Sequence, residues 1–209
     1  MKRLATSTRS RILAYAHDQP EGAVIRSRAL LGLGTRAGVD QALARLARSG
    51  ELLRISRGTY VRPVVGRFGP RAPSAEAVVR SWGATTGERI APTPVAAANA
   101  LGLTTQNPVQ YVYLTTGRTR ELGLGGRTVR LRHAPPWLVG TTESKAGQLL
   151  RAGAWLGRDR AREALRPLVE VLRASDRAEL QRLVGHAPTW LAAALLDTEP
   201  TRPGGVGHG

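Results

Sequence analysis

The sequence predicts an α+β fold, and three observations predict it. Residues 36–48 carry apolar side chains at helical spacing. Two stretches, 51–61 and 120–133, read as short strands folded about glycine turns. The last third, from 143 onward, is a run of helical segments. With 209 residues the chain fits one domain or two small ones. Its 42 % hydrophobic content excludes a wholly disordered polymer, and with only 4 % aromatics the core must be built from Leu, Val and Ala.

Taken in order, Ser7 or Thr8 caps a first helix that runs to about Gln19, where Pro20 ends it, with Ile12, Leu13 and Ala16 on one face. A short helix follows near 27–31. Gly32-Leu33-Gly34 then turns the chain into Thr35, the N-cap of a helix through Arg48 that Gly50 closes. Within it Val39, Leu43 and Leu46 fall at i, i+4 and i+7 and share a buried face, which leaves Arg36, Gln41, Arg45 and Arg48 toward solvent. Residues 51–55 and 59–61 flank Ser56-Arg57-Gly58 as a β-hairpin. Three helices and a hairpin in about 65 residues is the order of a winged helix-turn-helix.

Two Gly and two Pro within 65–74 mark an expected boundary between a domain at 1–66 and a second, mixed α/β domain at 74–197. In the second, Ser74 caps a helix to about Thr85, and Thr93-Pro94 starts another that runs to Leu101. Residues 109–115 alternate as a strand with Val112 and Leu114 on one side, Tyr111 and Tyr113 on the other. Strands 120–124 and 127–133 flank Gly125-Gly126, giving a small antiparallel sheet with Val129 and Leu131 inward, Arg130 and Arg132 outward. Helices are expected near 143–156, 160–173, 175–184 and 188–196. The tail 198–209, with its Gly and Pro, reads as disordered.

Charge narrows the function. The chain carries 31 Lys+Arg against 15 Asp+Glu, a net +16, and 29 of the basic residues are Arg. Segment 1–66 holds net +8, 67–142 net +6 and 143–209 only +2. Such an excess costs self-repulsion and favours a polyanionic partner, most simply nucleic acid. Absence of Cys removes disulfides, thiolate metal sites and cysteine nucleophiles. No window approaches the ~18 apolar residues of a membrane span. The apolar run after Met1-Lys2-Arg3 is shorter than a secretory core needs. A cytoplasmic protein with no membrane partner is expected.

A helix fits the major groove, where Arg suits guanine and Gln suits adenine. Arg36, Gln41, Arg45 and Arg48 supply such a face, and the hairpin tip Ser56-Arg57-Gly58-Thr59 suits a phosphate or a minor groove. A second basic face is expected from Arg118, Arg120, Arg127, Arg130 and Arg132, although a solvated strand face fits them as well. Catalytic signals are poor. His17, His133, His186 and His208 lack metal-ligand spacing, so no metal and no cofactor is expected. Gly32–Ala37 nominally fits G-x-G-x-x-A but follows no strand, and reads as a turn with a helix cap. Acidic residues are too scattered for a two-metal nuclease, and the expectation is a non-enzyme. The polar groups Asn99, Thr104-Thr105-Gln106 and Thr115-Thr116 suit helix-end and strand-end hydrogen bonds.

At these residues the sequence resembles a known family. Arg36-Ala-Gly-Val-Asp-Gln-Ala-Leu43, Gly50-Glu-Leu-Leu-Arg54, Arg57-Gly-Thr-Tyr60, Ala97-Ala-Asn-Ala-Leu-Gly-Leu-Thr-Thr-Gln106 and Tyr113-Leu-Thr-Thr-Gly117 resemble AbiEi-like antitoxins of type IV toxin–antitoxin systems and the short winged helix-turn-helix proteins related to them. The resemblance implies a repressor of its own promoter whose C-terminal domain counters a nucleotidyltransferase-like toxin. It places DNA contacts on Arg36, Gln41, Arg45, Arg48, Arg54, Arg57 and Thr59, with Tyr60 as a wing anchor, and a monomer or homodimer on the operator. The main alternative is an RNA- or ribosome-associated basic protein. Against it, only Tyr111 and Tyr113 approach the stacking platform that single strands require.

Overall fold

The computed structural model describes residues 7–106, 111–140 and 143–196. These residues form two compact units, each built from two stretches of chain. One takes in the described residues of Met1–Pro92 and Pro108–Pro135, the other those of Thr93–Asn107 and Pro136–Gly209. The fold is α+β, with several helices and small sheets.

In the first unit, helix α1 (Thr8–His17) begins where the Ser7 hydroxyl accepts the Ser10 N–H, and strand β1 (Ile25–Arg26) and a 3₁₀ helix (Ser27–Leu33) follow. Helix α2 (Arg36–Arg48) starts at Thr35, whose hydroxyl accepts the Gly38 N–H. Val39, Ala42, Leu43 and Leu46 of α2 are buried with Ile12, Ala16 and Leu30, a core in which each Leu or Ile contributes roughly 1.5–3 kcal/mol. Strands β2 (Leu53–Ser56) and β3 (Thr59–Val61) form the expected hairpin, and β3 also pairs with β1, giving the order β1-β3-β2. The stretch expected to be a linker instead holds a second hairpin, β4 (Val64–Gly66) with β5 (Gly69–Arg71), turning at Arg67-Phe68.

Helix α3 (Ala75–Thr86), capped by Ser74, covers a four-stranded sheet of order β6-β7-β9-β8. Its strands are β6 (Ile90–Pro92), β7 (Tyr111–Thr115), β8 (Arg120–Leu124) and β9 (Arg127–His133). The β8–β9 pair is antiparallel as expected and β6–β7 is antiparallel too, whereas β7 and β9 run parallel in the register Tyr111↔Val129 to Thr115↔His133. The parallel pair arises because the chain passes β7's edge to make β8 before returning as β9. Strand β6, absent from the sequence reading, is too short to show alternation.

The units do not part at 65–74, and the packing gives the reason. Tyr60 enters the core of α1 and α2, while its neighbour Val61, on the opposite face of β3, enters the core of α3 and the sheet together with Ile55. The first hairpin therefore belongs to two cores at once. The 20–24 loop adds to this. Ser81 of α3 accepts the Val24 N–H at 2.8 Å, and at Gly22 (φ +77°) a Cβ would lie 2.6 Å from that of Ala77. A separate domain at 1–66 would expose both surfaces.

The second unit is helical: α4 (Pro94–Ala100), α5 (Pro136–Val139), α6 (Lys145–Leu156), α7 (Arg158–Glu170), α8 (Ala174–Val184) and α9 (Thr189–Leu196). Helix α6 is central, buried on most of its circumference, and α9 approaches so closely that a Cβ on Gly153 would lie 2.6 Å from Leu191. Arg151 of α6 is fully buried and donates to the Val139 carbonyl at 2.9 Å; burial pulls its pKa down to about 10. The expected tail 198–209 lies outside the described residues.

Candidate nucleic-acid interface

Helix α2 carries its functional side chains because its four buried residues occupy one side of the cylinder, forcing the others outward. Arg36, Gln41, Arg45 and Arg48 are all exposed. Gln41, Arg45 and Arg48 group on one part of that face. Arg36 sits at its flank in an i, i+4 ion pair with Asp40 at 2.9 Å. An exposed pair of this kind is worth about 0–1 kcal/mol, so Arg36 can exchange Asp40 for a phosphate at small cost. Arg45 and Arg48 lie in the last turn, where cations favour the negative end of the helix.

The hairpin tip is held in place from behind. The Ser27 N–H donates to the Gly58 carbonyl at 2.9 Å, and Gly58 adopts φ +66° with the Ser27 hydroxyl close to where a Cβ would sit. Arg57 is thereby presented outward on a fixed loop, with Arg54 exposed on the adjoining strand. Thr59 departs from the expectation. It is buried, its hydroxyl donates to the Arg57 carbonyl at 3.4 Å, and it is not available as a contact. Tyr60 is buried in the α1–α2 core, in keeping with an anchoring role. Arg62, not singled out from sequence, donates to the Ala16 carbonyl at 3.1 Å and so caps the end of α1.

The second basic face is largely committed to neighbours. Arg120 pairs with Glu88 at 2.9 Å and stacks on Trp82, 5.2 Å from the ring centre. Arg130 chelates Glu121 at 2.7 and 3.0 Å, and Arg127 donates to the Tyr111 hydroxyl at 3.0 Å. Arg118 and Arg132 are exposed. Near them, the His133 ring sits 2.8 Å from the Gly117 carbonyl. Among the described residues no group of three or more His, Cys, Asp or Glu is placed to hold a metal, and no helix is long and apolar enough to cross a membrane.

A model of a protein family described as a family of unknown function, DUF6088, matches residues 11–180. No curated protein matches the chain. Among solved structures, the RV2827C protein from Mycobacterium tuberculosis is similar in fold, with a TM-score of 0.53 at 20 % identity, over 91 % of this chain and 76 % of that one.

Proposed function

The chain belongs to the DUF6088 family, whose description gives no activity, and from its own surface we propose that it is a duplex-DNA-binding transcriptional repressor. On this reading α1 through β3 are a winged helix-turn-helix, α2 is the recognition helix, and the β2–β3 hairpin is the wing. The observation that carries the reading is the exposed Gln41, Arg45 and Arg48 face of α2, together with an exposed Arg57 on a hairpin tip pinned by Ser27. The resemblance to AbiEi-like antitoxins extends the proposal to repression of its own promoter in the cytoplasm and to neutralisation of a nucleotidyltransferase-like toxin. That extension rests on sequence alone. A nucleotidyltransferase encoded beside this gene, and its co-purification with the chain, would support it.

The test separates base contacts from phosphate contacts. Gln41→Ala or Arg45→Ala is expected to relax preference at one base position by about 1–3 kcal/mol. Arg57→Ala is expected to weaken all duplexes alike and lower the slope of log K against log salt by about 0.9. Binding titrations at several salt concentrations, with single-stranded RNA as competitor, provide the measurement. Unchanged affinity and salt slope in all three variants removes α2 and the hairpin from the account, and preferential capture by RNA favours the alternative.

A further inference from the structure

Helix α3 packs over Val129, Leu131 and Leu122 of the four-stranded sheet. Beside its first turn, at Ala75 and Glu76, Tyr111 and Tyr113 of β7 border a cleft of about 840 Å³, lined wholly by residues of the first unit. This volume falls within the range of small-molecule sites. Tyr111 and Tyr113, two residues apart on β7, share its wall with Pro63, Pro70 and Pro73, while Ser49-Gly50, the C-terminal cap of α2, closes another side.

Two guanidinium groups stand at this cleft. Arg127 lies over the Tyr111 ring at 5.7 Å while bonded to its hydroxyl, and Arg71 is held by the Ala72 carbonyl at 3.1 Å, with Glu21 at 3.7 Å. Glu76 adds one carboxylate. Burial, followed by the Glu76 carboxylate and Tyr111, raises the Tyr113 phenol above its ordinary range, so it stays a hydrogen-bond donor. The cleft thus joins flat aromatic and proline surfaces to two cations and one acceptor. That set is complementary to a planar base bearing a single anionic group.

We propose that this cleft binds a nucleoside monophosphate. The base lies against Tyr111 and Tyr113 with its amino group toward Glu76, and the phosphate is held by Arg71 and Arg127. The site is independent of the DNA-binding reading and is tested without DNA.

The probe is adenosine 5′-monophosphate, titrated calorimetrically against the full chain, with adenosine and inorganic phosphate run separately. One nucleotide per chain is expected, bound at least about tenfold more tightly than either half alone. The Arg71→Gln/Arg127→Gln double variant is expected to lose about tenfold for the nucleotide and little for adenosine. Tyr111→Leu, at a half-exposed position, should weaken both. Circular dichroism melting of each variant confirms that it is folded. No nucleotide binding at millimolar concentration, phosphate binding as tight as the nucleotide, or an unchanged nucleotide affinity in the folded double variant would each overturn the proposal.

Discussion

The two hairpins of the first unit follow one another directly, each with short strands and a turn next to a glycine, yet they are opposites in packing. In β2–β3 the whole of β3 is buried, with Tyr60 in one core and Val61 in another, and β1 adds a third strand. In β4–β5 the chain's single Phe, Phe68, is 98 % exposed at the tip, Val65 is 80 % exposed, and the sheet has only two strands. A two-stranded ribbon without a buried face is marginal in water. The difference teaches that a glycine turn with apolar neighbours specifies a hairpin, while only burial on both faces makes that hairpin part of the frame. The first is a fixed mount for Arg57. The second is an arm whose tip at Arg67-Phe68 depends on local pairing, while its base at Pro70 and Arg71 borders the cleft.

The largest contrast is in side-chain deletion. Tyr60→Ala is expected to destabilise the first unit by about 3 kcal/mol or more, as large-to-small changes of buried aromatics do. Phe68→Ala, which removes a ring that touches mainly solvent and the Arg67 guanidinium 5.8 Å away, should change stability by less than about 0.5 kcal/mol. Urea denaturation of both variants measures this. Comparable losses would mean that Phe68 is packed in solution and that the two hairpins are not distinct.

The same contrast explains what could be read in advance. Helix α2, its Thr35 cap and its outward Gln41, Arg45 and Arg48 were legible because helical periodicity separates buried from exposed residues without reference to distant partners. The Arg57 turn was legible for its Gly58. Thr59 was misjudged, since a threonine beside a charged turn looks like a surface residue until the pairing of β3 with β1 encloses it. The unit boundary was misjudged for a related reason. Glycine and proline at 66, 69, 70 and 73 signal turns, and a tight hairpin uses the same residues as a linker. The signal against a linker was Tyr60-Val61, adjacent apolar residues that point to opposite faces and so require a partner on each side. The cleft at Tyr111 and Tyr113 was out of reach, because its walls come from positions 49 to 127 and only the tertiary fold assembles them.

A smaller effect tests the backbone. Gly58 (φ +66°) and Gly69 (φ +98°) both sit where an L side chain is strained, but a Cβ at Gly58 would press on Ser27 at 3.1 Å, whereas at Gly69 it would meet open space. Gly58→Ala is expected to lower stability of the whole unit by roughly 1–2 kcal/mol. Gly69→Ala should cost no more than opening of the second hairpin alone, because a weakly held segment relieves strain by local unfolding. Amide hydrogen exchange distinguishes the two: faster exchange confined to 64–71 for Gly69→Ala, and a lowered melting temperature for Gly58→Ala. Equal melting shifts would show that the second hairpin is bound into the cooperative unit.

The smallest effect concerns how the first hairpin is tied to the helices before it. Glu51 stands at the entry to β2, accepting a hydrogen bond from the Ser49 hydroxyl at 2.8 Å and pairing with Arg9 of α1. The Ser49 bond, opposed by desolvation and aided by Arg9, holds its carboxyl below the ordinary 4.5. A carboxylate favoured by the fold binds its proton less readily there than in the unfolded chain. Its stabilisation is therefore complete above about pH 4.5 and is lost as the pH falls through the lowered folded value. The difference in denaturation midpoint between the parent and Glu51→Gln should be small and steady near neutrality, close on acidification below that range, and shrink with added salt because the pair is exposed. A difference that widens as the solution becomes acid would mean that the carboxylate opposes the fold, and that the hairpin is held by β1 and its two cores without this tie.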